Sequence, residues 1–224
     1  MDMTDQPRRR AFLLAGLLPG LLRGQSAASP RVPPVDESDR EASFAAFRRH
    51  LLDVIARRDA GALLAVVDPE VRMSARNRPE GRDEFARFWQ LRRPGMSEVW
   101  AVLARVLELG CVKDEQRGGF LAPSISARLP AGLNADWHEI VADADEPLRA
   151  RPETGAPVVM TLDWHVVKRV AGPAPVPEEW MAVEVPGGPS GFVRKAALSN
   201  PLGYRALFQK RDGEWRITLL RSGD

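Results

Sequence analysis

Apolar residues recur at helical intervals through the first half of the chain. Phe44, Phe47, Leu51, Val54 and Ile55 predict an amphipathic helix running to Arg58, with Arg48, Arg49, Asp53 and Arg57 on its polar side. Ser38 and Glu41 stand at capping-box spacing before it. Asp59 is placed to cap a short second helix carrying Leu63, Leu64 and Val67, which Asp68-Pro69 ends ahead of a strand over 71–74. Phe85, Phe88 and Trp89 share one side of a third helix. Ser97 is placed to cap a fourth, whose stripe of Trp100, Leu103, Val106 and Leu107 stops at Gly110. Residues 38–130 therefore read as a mostly helical region.

After Gly118-Gly119 the period changes. Pro and Gly now punctuate short runs rich in Val, Ile, Leu and aromatics, among them HEIVADA, PLRARP, PVVMTL, HVVKRV, WMAVEV and SGFVRK, at the spacing of small antiparallel strands in a compact barrel. YRALFQK and WRITLLR flank Asp212-Gly213, a pair that favours a tight hairpin turn, so 200–224 reads as a C-terminal β-hairpin.

Neither pattern holds before residue 29. Arg8, Arg9 and Arg10 precede a twelve-residue apolar stretch broken by Gly16, Pro19 and Gly20, and Ser26-Ala27-Ala28 follows. A spanning helix needs about 20 apolar residues, whereas a cationic head, short apolar middle and small-residue tail make a cleavable export signal. Arg9-Arg10 followed by Phe12-Leu13 resembles the twin-arginine pattern, and cleavage is expected after Ala28. Residues 29–37, with Pro30, Pro33 and Pro34, read as a linker. The expected location is the periplasm or another exported compartment. After cleavage the chain is not expected to be an integral membrane protein.

Removing residues 1–28 takes away four arginines and two aspartates, which leaves 28 basic and 28 acidic side chains. The excess of positive charge that nucleic acid demands is then missing, so no nucleic-acid partner is expected. Cys111 is the single cysteine and cannot form an internal disulfide.

Residues 137–199 resemble a bacterial SH3 domain. The family's strand, turn, short strand, Trp strand and Gly-aromatic-Val strand appear in order as Leu148-Arg149-Ala150-Arg151-Pro152, residues 156–162, Trp180-Met181-Ala182-Val183 and Gly191-Phe192-Val193. Arg149 replaces the family's Asn, Asp163-Trp164-His165 its Gly, and 172–178 is a Pro-rich insertion. The resemblance implies an α+β chain made of a mostly helical N-terminal region, a small SH3-like β-barrel and the C-terminal hairpin. It also implies a non-enzymatic binding module for peptidoglycan or an envelope protein. The flanks have a second resemblance: IARRDAGALLAVVDPEVRMS with EGRDEFARFW is similar to the opening helices, and KRDGEWRITLL to the closing strands, of the cone-shaped superfamily that includes polyketide cyclases and nuclear transport factor. That implies a discontinuous domain with the barrel inserted. It also implies a rival function, binding or converting a small molecule in a pocket lined by Phe44, Phe88, Trp89 and Trp100.

Aromatic residues carry the binding expectation. Trp164, Trp180, Phe192 and Tyr204 fall on or beside barrel strands, where rings can stack on sugars or peptides. Strand alternation points Trp180 and Phe192 inward, which makes Trp164 the better surface candidate. No catalytic residue, metal or cofactor is expected. Cys111 follows a helix end, where the dipole disfavours a thiolate, and His50, His138 and His165 lack metal-ligand spacing. The carboxylate clusters Asp143, Asp145, Glu146 and Glu178, Glu179 sit in expected turns and read as solvated charge.

Overall fold

The computed structural model describes residues 29–76, 78–172 and 175–223. The export-signal reading, with Arg9, Arg10, Phe12, Leu13 and Ala28, lies outside them. Among the described residues four α-helices and two sheets give an α+β fold.

Helix α1 (Ala42–Arg57) buries Phe44, Leu51, Val54 and Ile55, the stripe its spacing predicts. Arg58 ends it in the left-handed region, its N–H returned to Ile55 O. The Asp59 carboxylate accepts from Ala62 N at 2.9 Å and so caps α2 (Ala60–Val66). Helices α3 (Arg82–Phe88) and α4 (Val99–Glu108) follow, and all four pack on a sheet of order β1-β12-β11-β3-β2. Its strands are β1 (Val67–Arg72), β2 (Val112–Asp114), β3 (Gly119–Ala122), β11 (Arg205–Arg211) and β12 (Glu214–Arg221). Two expectations change. Residues 38–130 supply three strands besides the helices, and the C-terminal hairpin joins them, with β12 parallel to β1 and β11 antiparallel to β3. The reason is burial: Ala206, Phe208, Trp215, Ile217 and Leu220 turn one hairpin face into the core formed by the helices.

Between β3 and β11 the chain leaves this sheet to build a second one. Its strands β4 (His138–Val141), β5 (Glu146–Arg149), β6 (Val158–Leu162), β7 (Val166–Arg169), β8 (Trp180–Glu184), β9 (Ser190–Arg194) and β10 (Leu198–Ser199) lie in the order β10-β4-β7-β8-β9-β5-β6. Val141, Leu148, Leu162, Val167, Val183 and Val193, from six strands, meet in one cluster, so the sheet wraps around its own core. Among the described residues its end strands β10 and β6 do not pair, so the closed barrel expected from strand spacing is instead an open wrapped sheet. The two-residue β10 is held by β4 alone, too short to reach the far edge.

The cluster expected to be solvated also departs. Glu146 is 3 % exposed, and Arg194 grips it with both forks, Nη2 to Oε2 at 2.7 Å and Nε to Oε1 at 3.2 Å.

A third cluster seals the seam between the two sheets. Val32, Leu109, Ile125, Ile140, Ala142 and Val166 pack there. Residues 29–37, expected as a linker, run across that seam as a strap. Val166 N donates to Pro30 O, Val32 N to Trp164 O, Val35 N to Ser124 Oγ and Glu37 N to Cys111 O, all at 2.7–3.0 Å. A Pro-rich segment has few backbone donors to satisfy, and those of Val32, Val35 and Glu37 are met by one unit or the other.

Candidate functional site

Two recesses that share Tyr204 lie along one face of α4 toward the seam. At one end Phe88, Trp89, Gln90, Met96, Ser97 and Glu98 surround a recess of about 210 Å³. At the other, Ala101, Val102, Arg105, Val106 and Leu109 of the α4 side face Pro123 and the 198–204 segment across about 360 Å³. Tyr204 belongs to both and joins them. Positions 98, 101, 102, 105 and 109 lie along one side of a helix that rises about 1.5 Å per residue, so the track is roughly 16 Å long.

Local sequence explains why this face is open. Trp100, Leu103, Val106 and Leu107 turn into the core, while Ala101 is exposed and Val102 sits half-buried at the core's edge. The Tyr204 ring centroid lies 5.3 Å from that of Trp89, which fixes the floor. Phe88 and Met96 stand 57 % and 74 % exposed at the outer end. Trp89 Nε1 is buried without a hydrogen-bond partner.

Polar groups are concentrated at the seam. Arg105 pairs with Glu108 at 3.0 Å and reaches across to Ala142 O at 3.3 Å and Asp143 at 3.6 Å. Asn200 Nδ2 donates to Glu139 Oε1 at 3.2 Å, and Arg169 Nε lies 3.5 Å from the same oxygen. Glu139 is buried, and burial pushes its pKa above the ordinary 4.5, with Asn200 and Arg169 pulling the other way. A raised folded-state pKa means that the fold holds this proton more tightly than the unfolded chain. Its contribution therefore favours folding at low pH and is lost as pH rises through about 4.5 and the folded value. Glu139→Gln is accordingly expected to be more stable than the natural chain at pH 7, and the difference to vanish below about pH 4; urea melts at the two pH values read it.

The four aromatic candidates do not form one site. Tyr204 lines the groove. Trp180 is buried on β8, and Phe192 is half-buried on the neighbouring β9. Trp164, expected at the surface, instead packs into the seam cluster with its carbonyl taken by Val32. Its φ of +54° is costly for a non-glycine residue, and the packing around it holds it there.

Cys111 and His165 are both buried. Cys111 is fully buried, and burial pushes its thiol up to about 12. His165 is buried, its Nδ1 accepting from Asp163 N at 2.8 Å, and burial lowers its pKa, so the ring is neutral. Among the described residues no group of three His, Cys, Asp or Glu side chains could hold a metal ion. No helix among them is long and apolar enough to cross a membrane.

Neither family models nor curated proteins nor solved structures give a match to this chain.

Proposed function

We propose that this is an exported, non-enzymatic binding protein whose groove along α4 and Tyr204 holds an extended peptide of the cell wall or envelope. The observation that carries the reading is the pair of recesses beside α4 that share Tyr204, with Trp89 and Tyr204 in tilted ring contact between them and Arg105 and Asn200 at the end where both units meet. Aromatic and aliphatic walls bury an extended chain at little entropic cost, and a few seam polar groups fix its direction. The wrapped second sheet serves as an SH3-like module that braces the 198–204 wall, with Trp180 as core. Location follows from the export-signal pattern of residues 1–28.

The rival reading, a small molecule held inside the first unit, has packing against it. Phe44, Trp89 and Trp100, three of its four pocket residues, are buried in the core, and Phe44 stacks on Phe120 with centroids 3.8 Å apart. Rings in that contact leave no space between them.

Retention of residues 29–224 on purified peptidoglycan, with titration of soluble stem peptides, tests the proposal. Ala101 is exposed in the groove wall, so Ala101→Arg fills the track without disturbing the core. Retention by the natural chain and release of the variant are expected. Failure of the natural chain to bind, or equal binding by both, overturns the reading.

A further inference from the structure

Trp137 stands 60 % exposed at the turn that leads into β4 of the seven-stranded sheet. An open cleft of about 560 Å³ beside it is lined by Asp136, Trp137, Arg169, Val170 and Ala171. Local chemistry fixes the turn. Asn134 Oδ1 accepts from Asp136 N at 2.6 Å, an Asx turn, and Asn134 O accepts from Trp137 N at 3.1 Å and from His138 N at 2.9 Å. On the neighbouring β7, Arg169 N donates to Trp137 O at 2.8 Å and Arg169 Nη2 donates to Asp136 O. The indole therefore stands on a braced backbone, and a ligand docking on it has little chain to order.

The cleft has walls of two kinds. Val170 and Ala171 share it with the apolar indole, while Asp136 and Arg169 give it a polar rim. The Asp136 carboxylate has no hydrogen-bond or ion-pair partner among the described residues. Arg169 keeps 38 % of its side chain exposed, although its Nε lies 3.5 Å from Glu139 Oε1. One carboxylate and one guanidinium at the rim favour neither an anion nor a cation. Together they offer acceptors and donors to a neutral ligand rich in hydroxyls. The open shape argues the same way. A site for an apolar small molecule encloses most of its ligand, whereas this cleft leaves one side of its occupant in water.

We propose that this cleft binds a pyranose ring of an oligosaccharide. The C–H face of the sugar stacks on Trp137, and hydroxyls at its edge donate to the Asp136 carboxylate and accept from Arg169. A pyranose carries an apolar face between polar edges, the pattern that an indole flanked by a carboxylate and a guanidinium complements. The ligand class differs from the peptide assigned to the α4 recesses, and the residues are different ones, so the sugar site stands or falls independently of that reading.

Calorimetric titration of residues 29–224 with N-acetylchitotetraose and with cellotetraose tests it. Saturable binding of at least one is expected. Sorbitol, which has the hydroxyls but no ring face, is expected not to bind. Trp137→Ala is expected to weaken sugar binding by about tenfold or more and Trp137→Phe by less, both with an unchanged melting curve because the side chain is exposed. Asp136→Ala removes the rim acceptor alone and is expected to weaken binding by about three- to tenfold. Ala101→Arg, which fills the α4 recess, is expected to leave sugar binding unchanged. Absence of saturable binding to both sugars overturns the proposal, as does equal affinity for sorbitol or binding that survives both Trp137→Ala and Asp136→Ala. Loss of sugar binding in Ala101→Arg would move the sugar to α4 and overturn it too.

Discussion

Phe44→Ala is expected to remove about 3–5 kcal/mol of stability, the range for truncating a fully buried aromatic side chain. Phe44 is fully buried on α1 and touches the sheet through three rings: Phe120 stacked at 3.8 Å, Trp215 edge-on at 4.9 Å and Phe208 at 5.6 Å. Truncation deletes the side chain's transfer energy and leaves a cavity that rigid aromatic neighbours cannot collapse into. For a chain of this length that corresponds to a fall in Tm of roughly 10 °C, read by calorimetry. Phe47, partly buried on the same helix, makes looser contacts at 5.9–6.1 Å, and Phe47→Ala is expected to cost clearly less. Equal losses would mean that the stack does not organise this core. The experiment also bears on function, because the space that Phe44 occupies is where a small-molecule pocket between helices and sheet would open. An apolar cavity made there is expected to admit a small aromatic such as benzene, which the natural chain excludes.

Local chemistry was legible in the sequence wherever one segment decides its own conformation. The stripe of α1, the Asp59 cap and the Asp212-Gly213 turn are of this kind; both turn residues have positive φ, 54° and 84°, as a tight hairpin demands. Competing local bonds moved the start of α1. Ser38, expected to cap it, gives its hydroxyl and its N–H to Asp36 in a short 3-10 turn, and the helix begins at Ala42 without a side-chain cap. Partners distant in sequence were not legible. Strand β2 is three residues long and carries little pattern of its own, and β1 finds its parallel neighbour β12 some 150 positions away. The candidate site divides the same way. Tyr204 could be picked out as an aromatic beside a strand, but Arg105, Asn200 and Ala101 become a groove only once the two units meet. Trp164 misled because its three-residue context shows polar neighbours, whereas its surroundings are set by a strap more than 125 residues upstream.

That strap is the basis of the second large effect, expected at Gly110. Gly110 follows α4 at φ +78°, and its N–H returns to Leu107 O at 3.1 Å. A Cβ added there falls 2.8 Å from the Val35 carbonyl carbon and overlaps the carbonyl oxygen, both backbone atoms that no rotamer change can move. Gly110→Ala therefore combines a left-handed conformation, costing about 1–3 kcal/mol for a residue with a side chain, with a clash that pushes residues 35–36 off the seam. Gly95→Ala is the control, since nothing lies within 4 Å of the added methyl. The clash acts locally. Val35 N loses its alignment with Ser124 Oγ, and Glu37 N its alignment with Cys111 O, so hydrogen exchange should accelerate first at those two amides. Amides of β8 and β9, remote from the strap, are expected to keep their protection. If exchange in Gly110→Ala instead rises uniformly across both sheets, strap and units unfold as one, and the strap has no separate role in holding the seam. Selective exposure would mean that the wall of the α4 groove depends on the nine residues 29–37. In that case peptide retention should weaken in Gly110→Ala even though Ala101, Arg105 and Tyr204 are unchanged.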